Sequence, residues 1–342
     1  MIREGIEAVV ARRHLSEAEA IGVMTEIMEG NATPAQIAAF IVGLRMKGET
    51  VEEITGCARV MRDKATFIGT PAGSVPVDTA GTGGDGAYTF NISTTAAFVA
   101  AGAGVVMAKH GNRAASSHCG SADLLEALGI DITLPPAGVE AAIKEVGMGF
   151  LFAPALHGAM RHAVGPRREI GVRTIFNILG PLTNPARSQH QLVGIYDATL
   201  TAMMATVLYN LGGKRAFVVH GSDGLDEITT TGATTISELR QGKVHTYTVQ
   251  PQDFGVPCDS PETLRGGNAQ YNAELTLRLL RGEQMPQRSI VLLNAAAAIA
   301  AGTEERSIAD CLPLARQALD SGAALHKLEK LRAFTQHWAQ TS

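Results

Sequence analysis

The sequence predicts an α/β protein: a small N-terminal helical domain at 1–70, then a larger α/β domain at 71–342 with a mainly parallel central sheet. Three observations predict it. Helix caps and helical spacing of apolar residues run without interruption to about residue 66. A Pro- and Gly-containing stretch, Thr70-Pro71-Ala72-Gly73-Ser74, then reads as a linker. After it, short strand-like apolar runs alternate with helical stretches, the pattern of a sheet covered by crossover helices.

In the first part, Ser16-x-x-Glu19 and Thr50-x-x-Glu53 are capping boxes, and Thr33-Pro34 puts a cap before a proline at the first helical position. Ile37, Phe40, Ile41 and Leu44 share one helical face. Gly30-Asn31 and Lys47-Gly48 divide the segment into three or four short helices, a small bundle without a cluster of chemically active side chains. In the second part, strand-like runs at 75–77, 105–108, 191–195 and 216–219 alternate with helical stretches at 94–102, 122–128 and 199–211. The runs 234–239 and 243–249 flank Gln241-Gly242 as a hairpin would, so the sheet is expected to be mixed. Helix returns at 275–280 and 290–301, the latter apolar nearly all round and so buried. Asn294 within it is expected to satisfy a neighbouring backbone group.

Composition narrows the function. The 342 residues carry a net charge of −4 and no basic block, which argues against a nucleic-acid backbone as partner. Cys57, Cys119, Cys258 and Cys311 are scattered without metal-ligand spacing, which suggests a reducing compartment. Glu4 and Glu7 interrupt any secretory leader, and the longest apolar run, 290–301, is too short to span a bilayer. The expectation is a cytoplasmic enzyme with no membrane partner.

Four clusters carry chemistry. The run at 75–77 empties into a turn with four glycines in the six positions 81–86, followed by Asn91-Ile92-Ser93-Thr94. A strand, a glycine turn and a helix start opened by Ser93 or Thr94 make a phosphate cradle, because free N–H groups and the helix dipole favour an anion. Lys109-His110-Gly111-Asn112-Arg113-Ala114-Ala115-Ser116-Ser117 follows the next strand, where open α/β sheets place ligands; Ser121 opens a further helix nearby. Asp226-Glu227, after a third strand, can hold a hard divalent cation whose shell is completed by phosphate and water, although the pair alone also fits an acidic turn. Between 165 and 185 lie Arg167, Arg168 and Arg173 beside Ile175, Phe176 and Ile178, guanidinium next to apolar surface, which suits an aromatic carboxylate. No nucleophile, base and orienter can be assembled from local spacing.

GTGGD at 81–85, NIST at 91–94, KHGNR at 109–113, SSHCGSADLLEALG at 116–129, TIFNILGPLTNPA at 174–186 and DGLDEI at 223–228 together resemble the anthranilate phosphoribosyltransferases, in register over nearly the whole chain. The resemblance implies a fold like the class II nucleoside phosphorylases, with 165–190 returning to the N-terminal helices, and a homodimer. It implies transfer of the phosphoribosyl group of phosphoribosyl pyrophosphate (PRPP) to the amine of anthranilate, in tryptophan biosynthesis. On the glycine side, Gly81, Gly84, Asp85, Thr89, Asn91, Ile92, Ser93 and Thr94 would hold PRPP. From the second loop, Lys109, His110, Gly111, Asn112 and Arg113, then Ala114, Ala115, Ser116, Ser117 and Ser121, would join them. Gly81, His110, Asn112 and Arg167 would meet anthranilate, and Ser93, Asp226 and Glu227 would serve Mg²⁺, two ions per site. No residue is implied as a discrete acid or base. The rival readings are a pyrimidine nucleoside phosphorylase on the same fold and a non-catalytic nucleic-acid-binding paralogue; KHGNR with the acidic pair opposes the first, and the net charge opposes the second.

Overall fold

The computed structural model describes residues 1–114, 118–303 and 305–341. Helices α1 (Ile2–Val10), α2 (Glu17–Met28), α3 (Pro34–Lys47) and α4 (Val51–Lys64) form the N-terminal bundle. Ser16, Thr33 and Thr50 each cap their helix in a reciprocal capping box, with Glu19, Gln36 and Glu53 answering. Ile37, Phe40, Ile41 and Leu44 form the buried face of α3.

Beyond the bundle, β1 (Val77–Gly81) leads into α5 (Ile92–Gly102), β2 (Met107–Gly111), α6 (Ser121–Ala127), α7 (Pro136–Val146) and β3 (Met148–Phe152). Short helices α8 (Ala153–Leu156), α9 (Arg161–Ile170) and α10 (Ile175–Leu179) precede β4 (His190–Gly194), α11 (Thr201–Asn210) and β5 (Arg215–Gly221). The hairpin of β6 (Thr234–Arg240) and β7 (Lys243–Val249) follows, then α12 (Ala269–Leu280), α13 (Arg288–Ala301), α14 (Ile308–Asp320) and α15 (Ala323–Thr341).

The seven strands form one sheet in the order β3-β2-β1-β4-β5-β6-β7, with β3 to β5 parallel and β6 and β7 antiparallel. The expected mixed sheet is present, and Gln241 and Gly242 both take positive φ at the hairpin turn. Two strand details differ from the expectation. The first strand begins only at Val77 and runs on through Asp78, Thr79 and Ala80, because pairing with β4 along Val77–Gly81 gives the backbone there its partners. The edge strand β3, which no alternating pattern announces, pairs with β2 from Met148 to Phe152.

Two cores flank the sheet. One packs α5, α12, α13 and α14 against one face. The other joins α1 to α4 with α11, the opposite face of β4 and β5, and Ala163, Ile175, Phe176, Ile178, Leu179 and Leu182. The segment containing α9 and α10 thus shares a core with the N-terminal helices, α9 packing on α3 and α2. Helix α13 is buried from Ile290 to Ala301, and the one polar residue in that run, Asn294, hydrogen-bonds backbone groups as expected.

Candidate active site

Strand order reverses at β1: from it the chain steps outward through β2 and β3, then crosses back to β4 and β5. Loops leaving strand ends on either side of such a point diverge and leave a crevice. Here the crevice is a cleft of about 380 Å³, and it joins residues as distant as Gly83 and Asp226, 143 positions apart in the chain. It is lined by Gly81, Gly84, Ser93 and Thr94 from the first cluster, Lys109 to Ala114 and Ser121 from the second, Asp226 and Glu227 from the third, and Arg167 from the fourth.

The acidic pair is drawn in by backbone contacts. Asp226 Oδ2 accepts from the Gly83 N–H at 2.8 Å, and Glu227 Oε1 accepts from the Ser93 N–H at 3.0 Å. The approach needs glycine: a Cβ on Gly194, at the end of β4, would overlap the Asp226 carbonyl oxygen, and one on Gly81 would overlap Asp226 Oδ2. Helix α5 therefore starts differently from the expectation. It begins at Ile92 with Asn91 as N-cap and no local side-chain cap. At its positive end the Glu227 carboxyl, from a distant loop, accepts from the Ser93 N–H.

Burial, then the negative charge of Asp85, pushes the Asp226 carboxyl up to about 6; burial, then Asp226, raises Glu227 well above the usual range. Carboxylates crowded this way gain most from a bound cation. Among the described residues no group of three or more His, Cys, Asp or Glu forms a metal cage. A pair of hard oxygen donors whose remaining shell is open fits Mg²⁺ carried on phosphate oxygens, and Asp226, Glu227 and Ser93 are the residues that would hold it.

Under the cleft, Lys109 is buried, donating Nζ to the carbonyl and hydroxyl of Thr79, and burial lowers its pKa against the pull of Asp78, Glu227 and Asp226. Asp78 accepts from the His110 N–H at 3.0 Å, and burial raises its carboxyl to about 6. The ring of His110 meets that of His157 with 3.2 Å between their Nε2 atoms. Burial, then His157, pushes His110 down to about 3, and burial pushes His157 to about 4, so at neutral pH one uncharged ring donates and the other accepts. His157 and Gly194 had no local signal in the sequence, since each matters only through a partner far along the chain.

Several of the expected residues also have partners within the protein. Ile92 is a core residue whose N–H donates to the Phe90 carbonyl. Thr89 bridges to Arg265 away from the cleft lining. Asn91 lines the cleft, its amide held by donating to the Cys119 carbonyl and accepting from Asn272, both at 3.0 Å. Arg113 lines the cleft with its charge compensated, pairing with Asp123 and Glu126 of α6. Asp123 Oδ2 also accepts from the N–H groups of Ala114 and Gly120, drawing these two residues together. Ala115, Ser116 and Ser117 lie outside the described residues.

The facing wall comes from α9 and α10. The Arg167 guanidinium lies over the Phe176 ring, 5.1 Å from its centroid, and burial lowers its pKa. Among the described residues no carboxylate pairs with it. Arg173 stacks on Tyr196 at 4.3 Å and donates to the Gly84 carbonyl, tying this wall to the glycine turn. An outer chamber of about 750 Å³, bounded by Asp85, Tyr88, Val172 and Arg168, opens beyond Arg167.

Comparison with known proteins places this cleft among relatives. Residues 3–65 match the helical bundle domain, and 73–325 the a/b domain, of a glycosyl transferase family. The chain is similar to the anthranilate phosphoribosyltransferase of Moorella thermoacetica, 56% identical over 339 residues that cover 99% of this chain and 100% of the relative. The crystal structure of anthranilate phosphoribosyltransferase from Thermus thermophilus superimposes with a TM-score of 0.92 at 43% identity, covering 97% of this chain and 99% of the other. The Saccharomyces cerevisiae enzyme in complex with PRPP and Mg gives 0.89 at 26% identity, with 98% of each chain covered.

Proposed function

The chain belongs to the anthranilate phosphoribosyltransferase family, and from that premise we infer how its cleft works. It transfers the 5-phosphoribosyl group of PRPP to the amine of anthranilate, giving N-(5-phosphoribosyl)anthranilate and pyrophosphate for tryptophan biosynthesis. The observation that carries the assignment of sides is an opposition across one cleft. The Asp226–Glu227 pair lies on one side, and Arg167, with no carboxylate partner among the described residues, lies on the other.

In this reading the sheet side binds PRPP. Gly81, Gly84, Asn112 and Ser121 bring backbone and hydroxyl groups to its phosphates, and the buried Lys109 adds a fixed cation beneath. Asp226, Glu227 and Ser93 would hold Mg²⁺, whose chemistry when bound would be to neutralise charge on the departing pyrophosphate. We propose two ions per site, because the charge of Asp85 adds to that of Asp226 and Glu227 beside the PRPP phosphates. On the other side, Arg167 receives the anthranilate carboxylate and Phe176 presents an apolar face to its ring. The amine nitrogen then faces the anomeric carbon: the N–C bond forms as the C–O bond to pyrophosphate breaks, with inversion, and the resulting aryl ammonium loses one proton to the departing pyrophosphate or to water. Neutral His110 and His157 add no competing positive charge beside this amine. An aryl amine needs no strong base before attack, so the rate comes from positioning and from stabilising the leaving group.

The test is the loss of anthranilate fluorescence on adding PRPP and Mg²⁺ to the purified protein; no loss at saturating substrate overturns the assignment. We also propose a homodimer formed through α1 and α3, where Val10 and Met46 are 70% and 74% exposed. A monomer in sedimentation at micromolar protein would refute it. Four cysteines with no disulfide among the described residues support a cytoplasmic setting, which fractionation of the source cells would check.

A further inference from the structure

From Ile290 to Ala301, helix α13 is buried, and Asn294 is the one polar residue in that run, with an exposure of 0%. An amide in such a place destabilises the fold unless its hydrogen bonds are made. Here they are made. Its Oδ1 accepts from the Ile228 N–H at 3.0 Å, and its Nδ2 donates to the Ile228 carbonyl at 2.9 Å and to the Ile290 carbonyl, one turn back in α13, at 2.9 Å. The amide is thus fixed to its own helix and grips both backbone groups of one residue in the acidic loop.

Ile228 directly follows Glu227. Fixing the Ile228 N–H fixes the plane of the Glu227–Ile228 peptide, and with it the direction in which the Glu227 side chain leaves the chain. The rest of the loop is held elsewhere: Asp223 takes the hydroxyls of Thr229 and Thr231, and the Gly221 N–H donates to the Leu225 carbonyl. Helix α13 also packs on α5, which carries the Ser93 N–H that receives Glu227. One buried helix therefore backs both the carboxylate and its receptor.

We propose that Asn294 is a positioning residue for the Asp226–Glu227 cation site, setting the orientation of the acidic pair through the Ile228 backbone without touching substrate or ion. The proposal rests on the reading of that pair as the Mg²⁺ site. Partners one shell beyond a metal ligand commonly change metal affinity by about 10–100-fold when removed, and an effect in that range is expected here.

The test uses the full chain with Asn294→Ala, Asn294→Asp, Leu293→Ala on the same helix, and the double variant Asp226→Asn with Glu227→Gln. Binding of Mn²⁺ alone is followed by the free-ion EPR signal, alongside the Mg²⁺ activation curve, the two KM values and Tm. The expected result for the Asn294 variants is weaker Mn²⁺ binding, a matching shift of the Mg²⁺ curve and a raised KM for PRPP, with the KM for anthranilate unchanged. Leu293→Ala should lower Tm and leave Mn²⁺ binding alone. Where Asn294→Ala does not fold, Asn294→Asp, which keeps the shape and the acceptor, is judged by the same criteria. Wild-type Mn²⁺ binding in a folded Asn294 variant, or an equal loss of binding in Leu293→Ala, overturns the proposal. Wild-type binding in the acidic double variant overturns the cation site itself; lost binding there, with unaltered Asn294 variants, overturns the positioning role alone.

Discussion

The two walls of the cleft are made differently. The sheet wall is a lattice of mutual constraints: Gly83 and Ser93 hold the acidic pair, Thr79 holds Lys109, and Asp78 holds the backbone of His110. The helical wall anchors Arg173 on Tyr196 and Gly84 but leaves its second charge, Arg167, largely unengaged. Arg167 rests on an aromatic face, with no carboxylate partner among the described residues. The difference teaches which side pre-forms its site. Anionic phosphates and a cation need donors and acceptors fixed in advance, since reorganising them at the moment of reaction would cost rate. A planar carboxylate needs one guanidinium left available and an apolar surface beside it.

If the sheet wall owns the cation and PRPP, the largest effect should follow from Asp226→Asn with Glu227→Gln. Turnover at low Mg²⁺ is expected to fall on the order of 100-fold with the fold intact. A Mg²⁺ titration of initial rates, with circular dichroism as the fold control, checks this, and full activity throughout would dissolve the distinction between the walls. Next is Gly194→Ala. Its Cβ would overlap the Asp226 carbonyl, so the acidic loop must move, and a displacement of about 1 Å can cost about 100-fold in rate. Rate should fall and the KM for PRPP rise; a variant kinetically identical to wild type would show that the loop tolerates the shift.

On the helical wall, Arg167→Ala should raise the KM for anthranilate about 10- to 100-fold, the loss of one charge-assisted hydrogen bond of about 1.5–3 kcal/mol. Equal increases for both substrates would mean that Arg167 supports structure across both walls. The smallest effect concerns the seam between them. His157 is held at about 4, below its ordinary 6.5, so its contribution to stability is present above pH 6.5 and lost as pH falls through about 4. His157→Gln should flatten the decline of Tm between those values. Asp78, raised to about 6, works in the opposite direction, favouring the fold below its ordinary 3.8 and losing that contribution as pH rises through 6. The informative quantity is therefore the difference between variant and wild type. Parallel Tm–pH curves would show that His157 is not buried in its neutral form.

Much of the site was legible because its chemistry is local. GTGGD, KHGNR and the Asp-Glu pair are short runs at strand ends, and residues adjacent in sequence at such a turn must reach the same crevice. The helix caps were legible for the same reason: Ser16 and Glu19 answer each other across three residues whatever the rest of the chain does. Where a local rule met a stronger distant partner, it gave way. Ser93 and Thr94 have the chemistry of an N-cap, yet α5 starts earlier, because Glu227 supplies the acceptor from 134 positions away. Asn91 lines the cleft, but the partners that hold its amide there, Cys119 and Asn272, lie 28 and 181 positions away.

Taken alone, the sequence determined the helical N-terminal part, the mixed sheet with its hairpin, the glycine turn, and which residue types would gather around a phosphate. These follow from periodicity and from short-range hydrogen bonding, which act over a few residues. Only the tertiary structure decided that Gly194 must lack a side chain, that His157 pairs with His110 across 47 residues, and that Asn294 grips Ile228 across 66. Such contacts depend on strand order and register, and these are set by packing of the whole core rather than by any single stretch of chain.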